Sequence, residues 1–117
     1  MDNIFGEVIS CYSRAQALED GVLVDLSEWA RETGIRFPVA CTAELWSKIE
    51  APKRSNQDTR GRAHDVLCLL AFAARRMAGD RMAYRVKLGR CTVTIKAICG
   101  PGDDAEPVIT LMLPHED

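Results

Sequence analysis

The sequence predicts an α+β fold in which N-terminal helices pack against a small C-terminal antiparallel β-sheet. Three observations carry that prediction. Apolar residues recur at helical spacing through the first two thirds of the chain, strict alternation takes over near Tyr84, and Gly89 and the Gly100–Glu106 stretch punctuate the alternating part as turns. A chain of 117 residues lies in the single-domain range and buries roughly two thirds of its unfolded surface on folding. With 47% hydrophobic and 27% charged residues it has enough apolar material for an ordered core. The expectation is one compact domain over residues 1–117.

The first helix is read from SRAQALEDG, which ends at Gly21, a residue free to take the positive φ of a helix exit. In VLVDLSEWARETG a brief extended segment enters a second helix, with Asp25 as N-cap, Glu28 as capping-box partner and Gly34 as stop. Leu26, Trp29 and Ala30 share one face, which makes Trp29 a core candidate. FPVACTAELWSKIE places Pro38 ahead of a third helix capped by Thr42, with Leu45, Trp46 and Ile49 inward and Glu44 and Lys48 paired outside. APKRSNQDTRG reads as a loop.

The strongest helical signal is GRAHDVLCLLAFAARRM, residues 61–77, with Gly79 as its exit. Its apolar middle covers more than one helical face, so a central position in the core is expected. Val66, Leu69, Leu70 and Phe72 are expected to share that core with Val93, Ile95, Ile109 and Leu111. In the first strand Tyr84, Val86 and Leu88 alternate with Arg85 and Lys87, and Gly89 and Arg90 form a short turn. CTVTIKAIC then puts Cys91, Val93, Ile95, Ala97 and Cys99 on one face, and VITLML returns after GPGDDAEP to complete a meander.

No apolar run is long enough to span a bilayer, and no basic segment followed by a signal-like apolar stretch is present. Five cysteines without a CxxC pair fit a reduced compartment better than a disulfide framework. A cytoplasmic protein without membrane contact is expected, with Cys68, Cys91 and Cys99 as inert buried groups rather than reactive thiols.

Local sites for chemistry are sparse. His64 and Asp65 open the strongest helix beside Arg62, but adjacent helical residues point about 100° apart and form no automatic dyad. His64 is the one weak catalytic candidate, as a general acid–base. His115 lies in the terminal PHED segment, and neither histidine belongs to a metal-ligand pattern. GPGDD lacks the GK and Ser/Thr of a P-loop and reads as a solvated turn, with Asp103, Asp104 and Glu106 facing water. No cofactor and no metal are expected.

Charge is the stronger signal. The net charge is −2, yet residues 75–96 carry seven basic residues against Asp80 alone, and residues 97–117 carry five acidic residues and no Lys or Arg. Arg75, Arg76, Arg85, Lys87 and Arg90 are therefore the candidate binding residues, for an acidic protein or for nucleic acid. Aromatic interleaving suited to stacking single strands is thin, because Tyr84 belongs to the apolar face.

RFPVACTAELW, GRAHDVL and above all VTIKAICGPGDDAEPVITLMLPHED resemble a family of small uncharacterised proteins carried by bacterial plasmids and phages. The likeness covers most of the chain and implies a bacterial, mobile-element origin, with host or competing-element machinery, defence included, as the field of action. It implies no catalytic residue. The leading expectation is an accessory protein that binds a bacterial macromolecule, a protein first and nucleic acid second. The alternative is a small ribonuclease or phosphate-transfer enzyme in which His64 works beside basic residues; the order of helices then sheet also invites comparison with compact ribonuclease toxins, by fold analogy only.

Overall fold

The computed structural model describes residues 13–50, 58–76 and 79–116. In chain order these form α1 (Arg14–Glu19), β1 (Leu23–Asp25), α2 (Ser27–Glu32), β2 (Val39–Thr42), α3 (Ala43–Ile49), α4 (Thr59–Ala74), β3 (Arg81–Leu88), β4 (Cys91–Pro101) and β5 (Pro107–Met112). The α+β architecture is as the sequence predicts, with the β3–β4–β5 meander forming one side of the sheet and β3 its edge. Two short strands extend the sheet to the order β1-β2-β5-β4-β3, and β2 runs parallel to β5 while all other pairs are antiparallel.

Local chemistry sets the helix ends. Ser13 closes a capping box with Gln16 at the start of α1, and Thr42 accepts from the Leu45 N–H at the start of α3. At α2 the cap position belongs to Leu26, which has no capping side chain; Asp25, one residue earlier, accepts from the Ser27 N–H instead. The expected Asp25 cap is thus displaced by one residue, because Asp25 is already committed to β1 opposite Ala40. Asp58 caps α4 through the Gly61 N–H, so this helix begins two residues before the sequence-based start and ends at Ala74, well short of Gly79. Most of the polar loop expected ahead of it, residues 51–57, lies outside the described residues.

Registers divide the sheet into two faces. Val24, Cys41, Leu111, Ala97 and Met82 lie side by side across its width and point toward α2, α3 and α4. That face holds the core, in which Val39, Leu45, Ile49, Val66, Leu67, Ile95 and Leu111 are fully buried. Trp29 and Trp46 pack against it with ring centroids 6.4 Å apart, and Arg60 of α4 lies 5.8 Å above the Trp29 ring. The β3–β4 hairpin turns at Gly89, whose φ of +65° suits the first position of a two-residue connection.

α1 lies on the second face. Its Arg14 donates to Thr110 Oγ1 at 2.7 Å and to the Ile109 carbonyl at 3.0 Å. The β4–β5 loop clamps the helix start: Asp103 accepts from the backbone N–H groups of Arg14 and Ala15 at 2.8 and 2.9 Å. These donated bonds hold the Asp103 carboxyl below its ordinary pKa. The turn is exposed, as expected, and it also caps a helix distant in sequence, because Asp103 reaches N–H groups that α1 cannot satisfy within itself.

Candidate interaction surface

α4 decides which apolar groups the molecule shows. The Tyr84 hydroxyl donates to the Val66 carbonyl at 3.0 Å and fastens the helix to β3. Burial of the Tyr84 ring raises its pKa far above the usual phenol range, so the hydroxyl stays a donor. With Ala63, Val66, Leu67 and Leu70 on the sheet, the helical repeat turns Cys68 and Phe72 outward and leaves Leu69 on the flank. Leu69 is 38% exposed and Phe72 56% exposed, which corrects the expectation that both join the core. The apolar middle of α4 is longer than one sheet face covers, and the surplus faces outward.

The five candidate binding residues separate into two pairs and Arg90 alone. Arg75 and Arg76 follow the last turn of α4 on the helix side, and the Arg76 guanidinium lies 4.6 Å over the Phe72 ring. Arg85 and Lys87 point away from the helices on the second face of β3, opposite Thr94 and Thr92. Arg90 sits in the hairpin turn, at the far end of β3 from the chain entering out of α4. The sheet separates the pairs, so the basic block of the sequence is not one continuous patch. All five are exposed, and none forms an ion pair among the described residues.

Other charges are tied internally. The Lys96 ammonium donates to the Glu116 carbonyl, while the Glu116 carboxylate accepts from the Thr42 hydroxyl at 2.7 Å and the Leu113 N–H at 2.9 Å. His115 Nε2 lies 2.8 Å from Glu44 Oε2. Folding thus uses much of the acidic C-terminal block for stitching and leaves the arginines of residues 75–90 open.

His64 is exposed, and its Nε2 lies 3.3 Å from Cys68 Sγ one turn along α4. Arg75 is eleven residues farther, about 16 Å along the helix axis. No group of three or more His, Cys, Asp or Glu residues is placed to hold a metal ion among the described residues. The thiols divide as well: Cys41 is fully buried and burial pushes its pKa up to about 12, whereas Cys68 and Cys91 are exposed. Inert burial thus fits Cys41 and not Cys68, which shares the outward side of α4, or Cys91, which ends the hairpin.

What sequence reasoning missed is the apolar half of this surface, Leu69 and Phe72. The signal was the uninterrupted run from Val66 to Ala74, which exceeds what a single packed stripe requires.

Over residues 1–117 the chain matches the model of the Family of unknown function (DUF6573), and it belongs to that family. No curated protein and no solved structure matches it.

Proposed function

We propose that this member of DUF6573 is a cytoplasmic accessory protein of a bacterial mobile element that binds a bacterial protein through the outward face of α4. The observation that carries the reading is the juxtaposition of exposed Leu69 and Phe72 with Arg75 and Arg76, neither arginine being ion-paired among the described residues. Exposed apolar groups rimmed by polar ones mark protein-binding surfaces, and aromatic and arginine side chains supply most of the binding energy at such surfaces. Burying the exposed half of Phe72 under a partner is worth roughly 1–1.5 kcal/mol. A partner with carboxylates around an apolar patch complements this face.

Nucleic acid is the weaker reading. Tight phosphate binding needs many cations along one track, and here the basic residues lie on two faces. Tyr84, the aromatic residue of β3, is turned inward onto α4 and offers no stacking surface. The mobile-element setting, with host or defence machinery as the source of the partner, is supported by the likeness of the GRAHDVL and C-terminal segments. The enzyme reading would need cations near His64, whose contact in the structure is Cys68.

The test is site-specific photocrosslinking in a bacterial host from a benzoylphenylalanine at position 72, with position 85 as comparison. The expected result is one protein adduct from position 72 that disappears in the Arg75→Glu/Arg76→Glu background. Adducts from position 85 alone, or nucleic acid recovered from position 72, would contradict the proposal. RNA turnover lost in His64→Ala would favour the enzyme instead.

A further inference from the structure

A separate feature opens beside α4, on its other flank. A cleft of about 420 Å³ lies between the loop after α2, the last turns of α4 and the starts of β3 and β5. Its floor is apolar and built from small side chains, Ala71 and Ala74 on the helix and Ala97 on β4, with Met82, Cys99 and Ile109 closing the sides. The three alanines are what leave the space, since larger side chains at those positions would fill it. Gly34, with φ at +92°, turns the loop from α2 so that Phe37 stands at the rim, 46% exposed.

Two charges converge on this apolar space. Arg36 comes from the loop and Arg75 from the C-cap of α4; both line the cleft, and neither has an ion-pair partner among the described residues. Among the described residues no acidic side chain lines it. A cleft of this size is in the range of small-molecule sites, about 300–1,000 Å³, and such sites combine an apolar lining with a few polar groups that orient the ligand. A guanidinium binds a carboxylate with charge-assisted hydrogen bonds that an alcohol or an ammonium cannot replace.

We infer that this cleft binds a small apolar carboxylate, its hydrocarbon body on the alanine floor and its carboxylate held by Arg36 and Arg75. A flat protein surface would cover Phe72 without needing the cleft, and the cleft's lining does not include Leu69 or Phe72. Arg75 belongs to both readings, so Arg36→Gln and the position of the shifts, rather than Arg75, separate this inference from the protein partner proposed above.

The probe is decanoate, titrated into the full chain below its critical micelle concentration and followed by calorimetry and by amide chemical shifts. Saturable one-to-one binding is expected, with shifts confined to residues 33–37, 70–75 and 97–99. Decanol and decyltrimethylammonium are expected to bind at least about tenfold more weakly, and Arg36→Gln and Arg75→Gln each to weaken decanoate by about tenfold, the loss of one charge-assisted hydrogen bond. Ala74→Trp is expected to abolish binding, and thermal melts of this variant and of the exposed Arg36→Gln variant separate loss of binding from loss of fold. Absence of saturable binding, equal affinity for decanol, or unchanged affinity in both arginine variants would overturn the inference. So would shifts centred on residues 68–72.

Discussion

The β5 side and the β3 side of the meander treat charge in opposite ways. At the β4–β5 end, Asp103 is bonded to the backbone of Arg14 and Ala15, the Arg14 guanidinium reaches Thr110 and Ile109, and Lys96 and Glu116 are joined to the tail and to β2. Where α4 passes into β3, Arg75 and Arg76 have no ion-pair partner among the described residues and lie next to a phenylalanine that is more than half exposed. The same residue types that close the structure on one side are left open on the other. Charges tied to backbone groups serve the fold, whereas charges beside uncovered apolar surface are the ones proposed to serve a partner.

The largest expected effect sharpens this contrast within a single helix. Leu67 is fully buried and Leu69 is 38% exposed. Leu67→Ala is expected to cost about 2–5 kcal/mol through lost burial and the cavity left behind. Leu69→Asp is expected to cost about 1 kcal/mol or less, mainly helix propensity, while weakening partner capture. Urea unfolding followed by circular dichroism checks both; equal losses would mean that α4 is rotated from the position described.

Thiol chemistry gives the next effect. At pH 8 a disulfide reagent is expected to label Cys68 and Cys91 in the folded protein and Cys41 only after unfolding in guanidinium, because Cys41 is buried and its thiol is pushed up to about 12. The folded-state value lies above the ordinary thiol value of 9.0, so the stability linked to Cys41 is fully present below that pH and is lost as pH rises toward 12. Peptide mapping of the labelled sites reads this directly, and rapid native labelling of Cys41 would contradict its burial.

The smallest effect concerns the clamp on α1. The folded pKa of Asp103 is depressed by the Arg14 and Ala15 N–H groups, so its contribution is present above the unfolded carboxyl value and is lost as pH falls through the folded value. The Arg14 and Ala15 amide shifts are expected to titrate together with a midpoint below about 3.9, and to lose that titration in Asp103→Asn. A midpoint at or above the ordinary carboxyl value would break the clamp.

How much of this was legible in the sequence follows from how each element is packed. β3 and, more weakly, β4 alternate because one face is packed and the other is open along much of their length, whereas β5 is buried on both faces. β2 does not alternate: Val39, Ala40 and Cys41 are all buried, between the core on one side and the α1 face on the other, and four residues are too few to show a period. Its parallel pairing with β5 joins segments nearly seventy residues apart, which no local pattern encodes. α4 fails for the opposite reason, since a run apolar on every side has no face to read until the Tyr84–Val66 bond selects one. The five basic candidates were legible as a block; their division between two faces was not, because it depends on a helix end lying on one side of a strand whose own charges point to the other.

The proposed docking site is the outward face of α4 and not the open face of β3. Hydrogen–deuterium exchange of the protein alone and with the partner captured from position 72 tests it most directly. The predicted result is added protection across residues 68–76 and none across residues 85–94. Protection confined to residues 85–94, with α4 exchanging as in the free protein, would contradict it.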